Sequence, residues 1–158
     1  MANKKKEIFV IIDGSSYLYR AFYALPHLKN NNGSHTGAIF GVTNMINKLL
    51  NDFSPKYVCA VFDARGKNFR HRIYKEYKSN RKSMPTELSE QVEPIFDFIK
   101  YMGIKIIQHP DVEADDVIAS LVNKHSTNIQ TFISSGDKDL AQLVNKNVSL
   151  MNSLDGKQ

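Results

Sequence analysis

The sequence has no tryptophan and a single cysteine in 158 residues, so no disulfide can form within the chain. That cysteine, Cys59, lies in the apolar run 57–62 and reads as a buried structural thiol, which suits a reducing compartment. No apolar run is long enough to span a membrane. The one nearest the N-terminus, residues 8–12, is also too short for the hydrophobic part of a signal peptide, so a soluble cytoplasmic protein with no membrane partner is expected. His27, His35, His71, His109 and His125 are scattered, with no His or Cys pair at zinc spacing. There is neither a Gly-x-Ser-x-Gly elbow nor a Walker A loop, which removes the usual serine-hydrolase nucleophile and the usual nucleotide phosphate cradle. Internal repeats, low-complexity tracts and heptads are missing too.

What is present is an ordinary composition for one domain with a real core, 42% hydrophobic and 23% charged. Residues 8–12 form a continuous β-branched run, as in a strand buried on both faces of a parallel sheet, and end in Asp13, Gly14, Ser15 and Ser16. The two serines are candidate caps for a helix over about 17–24. A polar loop over 29–35 precedes a helical pattern over about 36–53, and a second strand over 57–62 ends in Asp63. Thr86 is a candidate cap for a helix running to about Met102, with Gly103 to end it and Pro94 to bend or divide it. Strands over 104–107, 129–133 and 148–151 alternate with helices over about 113–125 and up to 144. This alternation predicts an α/β fold, a mostly parallel sheet covered by helices on both faces. Asp155 and Gly156 signal a hairpin whose return strand is missing, so the architecture is expected to be C-terminally truncated.

Ligands of such sheets bind outside the carboxyl ends of the strands. Asp13, Asp63, Asp137 and Asp139 fall at those ends, and Glu113, Asp115 and Asp116 open a helix expected to share that edge. Each acid also has a local explanation. Asp13 suits a turn, Asp63 could pair with Arg65, Asp137 and Asp139 suit a turn and a cap, and the 113–116 acids suit a helix dipole. Together they suggest a cradle for hard divalent cations such as Mg²⁺ or Mn²⁺, which prefer oxygen ligands. Glu113 and Asp116, three apart, share a helix face, while Asp115 points elsewhere. With these seven of the sixteen acids in one site, 21 basic residues face nine acids, the pattern of a polyanion binder with metal in its acidic hole.

The cations concentrate in one stretch. Arg65, Lys67, Arg70, Arg72, Lys75, Lys78, Arg81 and Lys82 fall within eighteen residues, interleaved with Phe69, Tyr74 and Tyr77 and opposed by Glu76 alone. Such a mixture suits single-stranded nucleic acid, with cations on phosphates and aromatic rings under bases. It also suits a solvated basic helix with one aromatic edge on the core. On a helix, Lys78 and Arg81 could reach one phosphate.

Five motifs in order carry a resemblance. They are Asp13 to Ala21 following Ile12; Val61, Phe62 and Asp63; Tyr77, Lys78, Ser79, Asn80 and Arg81; Val112 followed by Glu113, Ala114, Asp115, Asp116, Val117 and Ile118; and Ser135, Gly136, Asp137, Lys138 and Asp139. The chain, essentially throughout (1–158), resembles the bacterial 5′-nucleases, and among them the N-terminal 5′→3′ exonuclease domain of DNA polymerase I, in the flap endonuclease superfamily with its PIN-like fold. The resemblance implies a structure-specific hydrolase of DNA or RNA phosphodiesters that acts on 5′ flaps, nicks and RNA primers in replication and repair. Two divalent ions, Mg²⁺ with Mn²⁺ as substitute, would be held by Asp13, Asp63, Glu113, Asp115, Asp116, Asp137 and Asp139. Lys78 and Arg81 would hold or polarise the scissile phosphate, Tyr77 would stack near it, and Arg20 would contact DNA; the basic segment adds Arg70 and Arg72 as expected nucleic-acid contacts. The segment over about 67–100 would form the family's arch. A nucleoid-associated monomer is implied, beside a polymerase domain or a separate polymerase. Family members continue into a third aspartate pair and a helix-hairpin-helix element that this chain lacks. The alternatives are therefore a catalytically impaired, nucleic-acid-binding fragment, or a PIN-type ribonuclease.

Overall fold

A computed structural model describes residues 7–152 of the chain. Its elements are β1 (Ile8–Asp13), α1 (Gly14–Ala24), α2 (Gly37–Phe53), β2 (Tyr57–Val61), α3 (Phe69–Ile73), α4 (Thr86–Tyr101), β3 (Lys105–Ile107), α5 (Ala114–His125), β4 (Gln130–Ser134), a 3-10 helix (Lys138–Leu143) and β5 (Val148–Met151). The strands form one sheet in the order β3-β2-β1-β4-β5, and every neighbouring pair is parallel. The α/β architecture with a mostly parallel sheet is as expected. Asp155 and Gly156, on which the hairpin expectation rests, lie outside the described residues.

The run 8–12 has no polar alternation because both faces of β1 are covered. Val10 and Ile12 pack with Ala60, Phe62 and Phe132 under α1, α2 and α4. Phe9 and Ile11, on the opposite face, pack with Cys59, Val61, Ile133 and Val148 under α5 and the 3-10 helix. Successive strand residues point to opposite faces, so one continuous apolar run furnishes both cores. Cys59 is buried, as expected, and burial pushes its thiol up to about 12.

Several local expectations are corrected. Asp13, not a serine, caps α1, its side chain accepting from the Ser16 N–H. Pro85 precedes α4 and Thr86 is its first residue, making no cap hydrogen bond. Pro94 does not divide α4, which runs on unbroken through it; Pro94 lies on the exposed face, where the missing N–H leaves the buried side intact. Thr36 stands at the N-cap of α2 but makes no side-chain cap hydrogen bond. Instead buried Gln91 of α4 reaches across and accepts from the Ala38 and Ile39 N–H groups at 2.8 and 3.2 Å, so one helix closes the end of another. The 29–35 loop is pinched by a bridge between Lys29 and His35. No helix among the described residues is long and apolar enough to cross a membrane.

Candidate metal and nucleic-acid site

The register of the sheet sets the site. Ile12 stands between Ala60 and Ser134, so β1, β2 and β4 end level, and Asp13, Asp63 and Ser135 emerge on one edge. The serines first read as caps tie these ends together. Ser15 Oγ accepts from the Asp63 N–H at 3.0 Å, Ser16 Oγ accepts from the Gly136 N–H at 3.1 Å, and Ser135 Oγ donates to Asp13 Oδ2. The Ser135 hydroxyl also accepts from the Asp137 N–H at 2.9 Å. Asp63 Oδ1 accepts from the Ala114 N–H at 2.8 Å, joining the start of α5 to the end of β2.

An open cavity of about 570 Å³ lies on this edge, lined by Asp13, Asp63, Glu113, Asp115 and Asp137 with Lys78, Arg81, Tyr19 and Lys138. Five of the seven acids singled out in the sequence thus share one cavity. Asp116 and Asp139 line an adjoining one with Arg70 and Tyr77, and Asp115 and Glu113 border both. Asp13 is 4% exposed, and burial raises its carboxyl above the usual range against the pull of its bonds from Ser135 and Ser16. Half-buried Asp115 is pushed up to about 6, first by burial and then by the charges of Asp13, Asp137, Asp63 and Glu113. Mutual repulsion of this kind is relieved when a cation arrives.

The donors fit a hard cation, being all carboxylate oxygen, and no soft or nitrogen ligand lines the cavity. Among the described residues no three His, Cys, Asp or Glu side chains are drawn together as a ready set of ligands.

Glu113 and Asp116 share a face, as their spacing requires, and that face is turned to the basic segment. Glu113 Oε1 accepts from Lys78 Nζ at 2.6 Å and from Asn68 Nδ2 at 2.9 Å, and Oε2 accepts from the Tyr77 hydroxyl at 3.1 Å. Burial alone would raise the Glu113 carboxyl, but Lys78, Tyr77 and Asn68 outweigh it and hold it below the usual range. Asp116 takes both forks of the Arg70 guanidinium, Nη1 at 2.6 Å and Nη2 at 2.7 Å, and that pair keeps its carboxyl low. Asp115, expected to point elsewhere, makes none of these contacts with the basic segment and lines the carboxylate cavity, where the charges of Asp13, Asp137 and Asp63 reach it.

The basic segment is not one helix. Only Phe69–Ile73 is helical, capped by Asn68, and turns follow to residue 80. Lys78 has φ +53, and Arg81 follows through a turn in which its N–H donates to the Lys78 carbonyl at 3.0 Å. Both line the carboxylate cavity nonetheless, so a turn does what helical spacing was expected to do. Arg72 pairs with Asp111 through two hydrogen bonds and Arg70 with Asp116, so both cations bind protein acids here. Arg20 lies over Gly136, where a Cβ would come within 2.7 Å of its Nη2. Asn68, Tyr19, Ser15, Ser16 and Ser135 were not singled out as site residues. Asn68 had a signal as a residue able to cap, and Ser135 stands two before Asp137, but their partners are distant in sequence.

Fold and site together define a parallel α/β protein with an acidic cavity at the carboxyl edge of its sheet, rimmed by two lysines and an arginine. The model of the 5′-3′ exonuclease, N-terminal resolvase-like domain matches residues 8–158, and the chain belongs to that family. It is 44% identical over 150 residues to DNA polymerase I of Pseudomonas aeruginosa, covering 94% of this chain and 16% of the relative. It is likewise 44% identical over 149 residues to the 5′-3′ exonuclease of Buchnera aphidicola subsp. Baizongia pistaciae, covering 94% of this chain and 49% of that protein. The 5′-3′ exonuclease of Aquifex aeolicus is 43% identical over 145 residues, with 91% and 50% covered. The chain therefore spans about half the length of these exonucleases and a smaller share of the polymerase. Among solved structures, T5 5′-exonuclease with bound zinc superposes with a TM-score of 0.67 at 21% identity, over 92% of this chain and 55% of that one. The catalytic core of Rad2 with a DNA substrate gives 0.54 at 18%, over 92% and 44%. These two show the same fold.

Proposed function

We propose that this chain carries the carboxylate cavity of a metal-dependent 5′-nuclease, a phosphodiester hydrolase for DNA or RNA 5′ ends at flaps, nicks and primers. The observation that carries this reading is the cavity that joins Asp13, Asp63, Glu113, Asp115 and Asp137 to Lys78 and Arg81. Bound there, two Mg²⁺, or Mn²⁺ in their place, would supply Lewis acidity toward phosphoryl oxygens and lower the pKa of water. Asp13, Asp63, Asp115 and Asp137, with Glu113, would hold them. Arg81 and Lys78 stand at the rim where a phosphate would meet the acids, and each offers donors to its non-bridging oxygens. Tyr77, beside them, presents an aromatic ring for a base, and Arg20 a cation at the end of β4. The segment over about 67–100 would serve as the arch for the 5′ strand. The working form would be a monomer in the cytoplasm, associated with the nucleoid, with a polymerase in the same or a separate polypeptide.

The test is cleavage of a labelled 5′-flap duplex in Mg²⁺ by the chain and by its Asp63→Ala and Asp115→Ala variants. Cleavage by the parent, lost by a hundredfold or more in either variant, is expected. Equal cleavage by parent and variants would refute the assignment. Flap binding by the parent without metal-dependent cleavage would make the chain a binding fragment.

A further inference from the structure

We propose that Asp116 is a positioning residue: its two-point ion pair with Arg70 clamps the basic segment to the start of α5 and so sets where Tyr77 and Lys78 stand, without serving a cation itself. The inference rests on the nuclease reading and refines which of its acids do what.

Both oxygens of the carboxylate are engaged by protein donors. Asp116 Oδ1 accepts from Arg70 Nη2 at 2.7 Å, and Oδ2 accepts from Arg70 Nη1 at 2.6 Å and from the Glu113 backbone N–H at 3.0 Å. A fork-to-fork pair fixes direction as well as distance, which a single ammonium contact does not. Asp116 is also absent from the lining of the carboxylate cavity that Asp115 helps to form.

The clamp has something to hold. α3 has no buried residue, so no core anchors it. Its attachments to the 111–116 stretch are polar: the Phe69 N–H to the Asp111 carbonyl at 3.0 Å, Asn68 to Glu113, Arg72 to Asp111 and Arg70 to Asp116. Beyond α3, Tyr77 and Lys78 meet Glu113, and Lys78 does so at positive φ, a conformation a lysine keeps only where its surroundings hold it. Both arginine pairs are fork to fork, and the Arg70 pair is the less exposed of the two. Release of Arg70 would leave Glu113 to hold Tyr77 and Lys78 against a mobile segment.

Hydrogen exchange of the full chain, paired with Mn²⁺ titration calorimetry, tests this on Asp116→Asn, Arg70→Gln, their double variant and Asp115→Asn. Asparagine keeps an acceptor for the Glu113 N–H, so the cap on α5 survives the substitution. Asp116→Asn and Arg70→Gln should each raise exchange over residues 69–80 by tenfold or more, with Mn²⁺ affinity within about twofold of the parent. The double variant should exchange no faster than Arg70→Gln alone, since that substitution already removes the Asp116 pair together with the longer Arg70–Glu113 contact at 3.8 Å. Unchanged exchange in the single variants, additive effects in the double, or a tenfold loss of Mn²⁺ affinity in Asp116→Asn would each overturn the proposal. Asp115→Asn reads the cavity separately: full Mn²⁺ affinity in that variant would refute the metal site itself, whatever Asp116 does.

Discussion

The acids and the cations of the site are held in opposite ways. Asp13 is buried at the end of a central strand, with one oxygen on a helix N–H and the other on a serine hydroxyl, and two packed cores beneath it. Lys78 stands in a turn after a helix with no fully buried residue, and its placement comes from the carboxylate it binds. The difference teaches where the organisation of the site resides. The sheet fixes the acids, and the acids fix the cations. Charge of one sign is built into the fold, and charge of the other is recruited by it.

Substitutions can break that contrast from either side. The largest effect is expected at Gly14, where the chain turns from β1 into α1 and any Cβ would collide with the ring of buried Phe62. Gly14→Val should cost about 3 kcal/mol in urea unfolding, since a close-packed core cannot absorb the added atoms. A cost under ~1 kcal/mol would mean that the acid-bearing edge is softer than its burial suggests. Gln91→Leu comes next. It strands the buried Ala38 N–H and leaves the Ile39 N–H without its acceptor, and a loss of about 2 kcal/mol is expected, read from the same curves.

Asp115→Asn should act with the opposite sign. In the folded chain the Asp115 carboxyl is pushed up to about 6 from its ordinary value of 3.8. A carboxyl raised on folding is a burden wherever it is ionised: the penalty is nil below about pH 4, grows between pH 4 and 6, and is complete above 6. Metal-free Asp115→Asn should therefore match the parent near pH 4 and exceed it at neutral pH by about 1 kcal/mol, the shift being discounted because the group is half solvated. Equal stability at both pH values would contradict the crowding of charge in the cavity. The smallest effect belongs to Arg72→Ala on the basic side. Its pair with Asp111 is exposed, and the urea midpoint should not move measurably. A clear loss of stability there would show that the cations are more than followers of the acids.

How much of this could be read in advance follows the same division. Apolar runs closed by Asp13 and Asp63 and the acids opening α5 are local patterns, and the parallel sheet followed from their alternation. The two faces of β1 were legible for the same reason, since a strand covered on both sides needs no polar partner positions. The errors that bear on the site concern contacts between distant residues. Ser15 and Ser16 looked like caps because only their neighbours could be seen, whereas their hydroxyls serve Asp63 and Gly136. Gln91 as the cap of α2 lies 53 positions from Ala38 in sequence. The partners of Arg70 and Arg72 were not legible either, since Asp116 and Asp111 lie 46 and 39 positions away in sequence. Asp115 gained its place from the direction of a helix face and the reach of the strand ends, neither of which spacing alone could orient.

The central claim is that the acids rising from the sheet edge form a divalent-cation site within this chain. Electron paramagnetic resonance titration of Mn²⁺ into the parent and into Asp115→Asn at pH 7.5 tests it most directly. The account predicts saturable loss of the free-ion signal with the parent and at least tenfold weaker uptake by the variant. The same uptake by both proteins would contradict it.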